Sequence, residues 1–183
     1  MTELKKIDKN WTLFLDRDGV INDEKETDYI KTWEEFRFLP GAKEAIKNFT
    51  EKFGNIVIIT NQRGVSKGIT KLEDLEVMHK NMIAEIVATG GKITKLYYCI
   101  DMDDASPNRK PNTGMGLQAK KEFPEIDFSK TVMVGNTISD MEFGRNLGIP
   151  INIFLPSAKP SLGLKQSLAD HIFPDLLSFS KVL

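Results

Sequence analysis

Apolar runs of strand length alternate with amphipathic stretches along most of the chain. Residues 11–15 are apolar almost without interruption, as expected of a strand buried on both faces, and Gly19 marks a turn just beyond it. A second run at 55–60 is rich in β-branched residues and reads as a buried parallel strand. Further strands are expected at 96–100, 131–134 and 151–155. Between them, helical spacing appears in Ala42, Ala45, Ile46 and Phe49, which stops near Gly54. It appears again across 71–89, where Leu72, Leu75, Met78, Met82, Ile83, Ile86 and Val87 mark a core-facing helix closed by Gly90-Gly91. Shorter helices are expected at 114–123, around Met141, Phe143 and Leu147, and from beyond residue 173 to the end. The tail before that last helix carries Pro156, Pro160 and Gly163. Residues 22–38 are polar and irregular, and Tyr29, Trp33, Phe36 and Phe38 are read as docking this excursion onto the body. Strands alternating with helices predict an α/β fold, a Rossmann-like doubly wound parallel sheet with helices on both faces.

Length and composition narrow the picture. A chain of 183 residues suits one domain, expected to span 1–183, and 40% hydrophobic with 28% charged residues is ordinary for a globular protein. No apolar run approaches the roughly 20 residues of a membrane span, and the first six residues lack an apolar signal core. With Cys99 alone there is no internal disulfide and no thiolate-rich zinc cage, so a cytoplasmic protein is expected. A net charge of -1 offers no global attraction to nucleic acid or anionic membranes. An anionic substrate must therefore be held by a local cluster.

Such a cluster is encoded at the strand ends. In a parallel sheet the carboxyl ends share one edge, where ligands bind. Those ends carry Asp16 and Asp18, then Thr60 with Asn61, Gln62 and Arg63, then Arg109 and Lys110, then Asn136 and Asp140. The set supplies a carboxylate nucleophile, a second carboxyl group, a hydroxyl with amides, cations, and oxygen donors for a hard metal. That inventory suits phosphoryl transfer through a covalent intermediate. Other candidates read more plainly. The acidic run 101–104 lacks the even spacing of a calcium loop and is taken as solvated. Cys99 is a core residue. His79 is placed on a charged helix face and His171 near a terminal strand, both solvated or capping. Gly114-Met115-Gly116 could offer amides to a phosphate, but a loop-to-helix turn explains it equally well.

Asp16-Arg17-Asp18-Gly19-Val20, Thr60-Asn61-Gln62, Arg109-Lys110-Pro111 and Gly135-Asn136-Thr137-Ile138-Ser139-Asp140 resemble the four motifs of the haloacid dehalogenase superfamily, in order and at its strand ends. Within it the chain resembles the capless branch of heptose-bisphosphate and histidinol-phosphate phosphatases, with Asn22 in place. The resemblance implies a magnesium-dependent phosphomonoesterase acting on a small phosphorylated metabolite, with no nucleic-acid or membrane partner. Asp16 would form an aspartyl phosphate and Asp18 would act as acid and base. Asp16, the carbonyl of Asp18, Asn136 and Asp140 would hold Mg2+. Thr60 and Lys110, with the amides of Arg17 and Asn61, would hold the phosphoryl group, and Arg109 would select the rest of the substrate. Three departures stand out. The zinc loop of three cysteines and one histidine found in the heptose phosphatases cannot form here. Asn136 replaces the usual metal-binding Asp, and Arg63 adds a positive charge where a small residue is usual. Two alternatives remain at this point: a binding or regulatory module on a weakened phosphatase scaffold, and a polynucleotide end phosphatase, against which the near-neutral charge counts.

Overall fold

β1 (Thr12–Leu15) is the central strand of one parallel sheet, and the other strands are laid outward from it. A computed structural model describes residues 3–25, 27–157 and 168–183. Pro160 and Gly163 lie outside the described residues. β2 (Asn55–Asn61) and β3 (Lys95–Cys99) build one side, and β4 (Thr131–Gly135), β5 (Ile151–Phe154) and β6 (His171–Ile172) the other, in the order β3-β2-β1-β4-β5-β6. All pairings are parallel, with Leu15 opposite both Ile58 and Val134. The chain runs one way from β1 through β2 to β3 and then crosses to β4. That reversal opens a crevice at the carboxyl ends of β1 and β4.

Alternation within each strand produces two apolar layers. Leu13, Leu15, Ile56, Ile58, Val132 and Val134 pack beneath α1 (Ala42–Lys52), α2 (Leu72–Ala88) and α5 (Leu176–Ser180). Phe14, Val57, Ile59 and Met133 point the other way, toward α3 (Gly114–Glu122) and α4 (Ile138–Asn146). Both layers exclude water, which is why the strands read as continuous apolar runs instead of alternating ones. Truncating a residue such as Phe14, which is fully buried between Phe128 and Phe143, costs roughly 3–5 kcal/mol.

The helix phases differ from expectation in one place. In α2 the buried face is Leu75, Met78, His79, Met82 and Ile86, while Leu72 and Val87 face solvent. His79 is 6% exposed, so it belongs to the core face and not to the charged one. His171 does lie at the surface, 2.9 Å from Glu3. The amide of Gly114 donates to the carbonyl of Pro107, so at the start of α3 that amide is already engaged within the protein. In the excursion after β1, Trp33 stacks on Phe36 and Phe36 meets Phe38 edge-on, as a docking cluster should. Tyr29 stands apart from them, beside the cleft described next.

Candidate active site

The strand ends converge on a cleft of about 410 Å3. Asp16, Arg17, Asp18, Asn61, Gln62, Arg109, Lys110 and Asp140 all line it. Asp16 follows β1 directly, and its amide still donates to Val134 on β4 at 3.0 Å, so its position is set by the sheet. The ammonium of Lys110 lies 2.9 Å from Asp16 Oδ1, donates to Ile59 O at 2.7 Å and pairs with Asp140. Asn61 fixes Lys110 by gripping its backbone twice, accepting from its amide and donating to its carbonyl, both at 3.1 Å. Burial pulls the Lys110 ammonium down, but Asp140 and Asp16 outweigh that and hold it above its ordinary range. Burial, reinforced by the charge of Asp140, pushes Asp16 well above the ordinary carboxylate range, although Lys110 opposes the shift.

Asp18 sits in a different environment. The turn after β1 folds back on Arg17, whose carbonyl accepts from the amides of Val20, Ile21 and Asn22. Gly19 makes this possible at φ +77°, a left-handed conformation, and a Cβ there would stand 2.1 Å from Asn136 Nδ2. Arg17 Nη2 reaches Asp18 Oδ1 at 2.8 Å and Oδ2 at 2.9 Å. Asn22 and Gln62 donate to the same carboxylate at 2.9 and 2.8 Å. Burial alone would raise Asp18, but the Arg17 charge and these donors prevail, leaving it below its ordinary value. Behind Arg17, Nη1 meets His79 Nε2 at 2.8 Å.

The oxygen donors available to a metal are unequal. Asn136 is 2% exposed, and its Nδ2 donates to Glu24 Oε1 and to Ser157 Oγ, both at 2.9 Å. Its Oδ1 is buried without a hydrogen-bond partner. Asp140 has both oxygens engaged: one pairs with Lys110, and the other accepts from the amides of Asn136 and Thr137 and from the Thr137 hydroxyl. No group of three His, Cys, Asp or Glu side chains suited to a metal occurs among the described residues. An orphaned buried amide oxygen is a donor that suits a hard, partly hydrated cation such as Mg2+.

Thr60, Arg63 and Asn136 are not among the residues lining the cleft. Thr60 is 1% exposed and lies behind Gln62, whose Nε2 donates to its hydroxyl at 2.8 Å. Arg63 turns to Asp104, which also accepts from Arg109 Nε at 2.9 Å. The acidic run is exposed, as expected of a solvated loop, and one of its carboxylates, Asp104, also ties two guanidinium groups. Arg63 Nε and Arg109 Nη1 remain buried without partners. Glu24, His79 and Lys67, which sequence reasoning left out, also belong here. Lys67 lies over the Tyr29 ring at 5.4 Å on the rim. His79 was legible in principle, since it is four residues after Leu75 and three before Met82. Glu24 carries no such signal, because only the folded excursion brings it to Asn136.

Known proteins resemble this chain in sequence and in fold. A Campylobacter jejuni D-glycero-alpha-D-manno-heptose-1,7-bisphosphate 7-phosphatase is 36% identical over 151 residues, covering 82% of this chain and 86% of its own. A Mycobacterium bovis protein of the same name is 34% identical over 138 residues, covering 75% and 73%. The crystal structure of a D,D-heptose 1,7-bisphosphate phosphatase from B. bronchiseptica, complexed with magnesium and phosphate, superposes with TM-score 0.83. It is 24% identical and covers 94% of this chain and 97% of its own, a match of fold. No helix among the described residues is long and apolar enough to cross a membrane. Residues 8–142 match the family described as Polynucleotide kinase 3 phosphatase; the chain belongs to it, and is a phosphatase of the haloacid dehalogenase superfamily.

Proposed function

We propose that the protein is a magnesium-dependent phosphatase of a sugar bisphosphate, heptose 1,7-bisphosphate first among the candidates, and that residues 1–183 act as one catalytic domain in the cytoplasm. The observation that carries this is the buried pair of Asp16 and Lys110, 2.9 Å apart at the end of the central strand, in a cleft that also holds Arg109. An Asp16 oxygen attacks phosphorus, and the bond from phosphorus to the sugar oxygen breaks. Asp18 gives that oxygen a proton, then takes one from the water that hydrolyses the aspartyl phosphate. Asp18 is held as an anion by Arg17, so it needs a reason to bind a proton. An incoming phosphate dianion supplies one, because a like charge beside a carboxylate raises its proton affinity. Lys110 neutralises charge on the transferring group, and the Asp16 to Lys110 contact keeps the nucleophile aimed. Asp16, the Asp18 carbonyl and Asn136 would hold magnesium, which supplies charge screening between nucleophile and phosphate. Asp140, with both oxygens engaged, steers Lys110 and the start of α4.

The guanidinium groups on one side of the site support the substrate class. Arg109 lines the cleft and shares Asp104 with Arg63, which puts the two guanidinium groups together, and such a pair suits a second phosphate. The relatives named above act on a sugar with two phosphates, which fits that pair. Phosphate release from heptose 1,7-bisphosphate, compared with a 3′-phosphorylated oligonucleotide, tests the reading. Faster turnover of the oligonucleotide would overturn it in favour of the end-phosphatase activity that the family description names. Acid quenching with radiolabelled substrate should trap phosphate on the wild type and not on Asp16→Asn.

A further inference from the structure

We propose that His79 is a positioning residue for proton transfer: its imidazole anchors Arg17, so that the guanidinium keeps Asp18 aimed at the leaving group. This rests on the reading of Asp18 as the acid and base. Arg17 is 1% exposed, so each of its nitrogens needs a protein partner. Nε and Nη2 face Asp18, at 3.3 Å and at 2.8 and 2.9 Å, and Nη2 also reaches Gln62 Oε1 at 3.2 Å. Only Nη1 points away, and it meets His79 Nε2 at 2.8 Å. A guanidinium can only donate, so Nε2 must be the acceptor and the ring proton must sit on Nδ1. His79 is therefore neutral here. Burial and the Arg17 charge push it down to about 3, which favours the same state.

The imidazole is itself fixed, on the buried face of α2 with its ring 5.3 Å from that of Tyr98. Without an acceptor at this point, Nη1 would be buried and unpaired. The guanidinium would then turn to find a partner and give up its hold on Asp18. His79 lies outside the cleft lining, so its effect on chemistry must pass through Arg17.

Leaving-group dependence separates this role from a merely structural one. An alkyl phosphate needs a proton on the departing oxygen, whereas 4-nitrophenyl phosphate does not. The quantity to read is kcat on heptose 1,7-bisphosphate divided by kcat on 4-nitrophenyl phosphate. His79→Asn, whose amide is too short to reach Nη1, should lower that ratio about tenfold, part of what general acid catalysis provides. His79→Gln, whose amide oxygen can reach the place of Nε2, should restore most of it. His79→Ser carries the same expectation as Asn, should the Asn variant not fold. An equal ratio in the short and long variants, whether lowered or unchanged, overturns the proposal. Asp18→Asn is the control: if it leaves the ratio unmoved, the reading of Asp18 fails and the proposal with it. If it lowers the ratio while the short His79 variants do not, the role of His79 alone is wrong.

Discussion

Asp16 and Asp18 are two residues apart on one turn, yet the protein treats them in opposite ways. Asp16 is buried against a second carboxylate, that of Asp140, with one ammonium shared between them. Burial and that neighbour make its proton hard to remove. Asp18 is gripped by a guanidinium and two amides, which outweigh its burial and keep it ionised. The same side chain thus acquires two proton affinities from two sets of neighbours. Those neighbours come from different elements: Lys110 and Asp140 follow β3 and β4, whereas Gln62 and His79 belong to the end of β2 and to α2. A bound cation and a bound phosphate would push the pair back toward each other, which is the condition for nucleophile and acid to work together.

Breaking the Asp16 side should have the largest effect. Asp16→Asn should reduce turnover by at least about a thousandfold and abolish the acid-stable phosphoenzyme, since the attacking oxygen is lost. Lys110→Met would leave Asp16 and Asp140 facing each other without a counter-charge. Removing one partner from such a buried group costs about 3–5 kcal/mol, readable as a lower urea midpoint. On the other side, Asp18→Asn should slow an alkyl phosphate about a hundredfold and an aryl phosphate much less, measured as kcat on the two substrates.

Smaller changes sharpen the contrast. His79 is held neutral well below its unfolded value, so the unfolded chain binds the extra proton. Stability from this group is complete above about pH 6.5 and is lost as pH falls toward 3. Between pH 7 and 5 the wild type should lose up to about 2 kcal/mol more than His79→Gln, by urea denaturation at each pH. Arg63→Ala, outside both carboxylate environments, should change only the KM for a bisphosphate, by about threefold, because its contact with Asp104 is solvent-exposed.

The sequence alone determined the alternation of strands and helices, the two-sided burial of the sheet and the arrival of four polar clusters at one edge. These depend on local periodicity and on the direction common to all parallel strands, and both are written in consecutive residues. The four motifs also identified the superfamily, since their order along the chain is independent of how side chains pair. What the tertiary structure decided is the partnership of each charge. Arg17 turns from a backbone donor into the clamp on Asp18, Asp104 pairs with Arg63 and Arg109 at the surface, Asp140 closes on Lys110, and His79 comes to lie behind Arg17. Glu24 reaches Asn136 across 112 positions of sequence. Such pairings depend on distances of about 3 Å between residues remote in the chain. Electrostatic energies vary steeply over that range, and no local pattern records it.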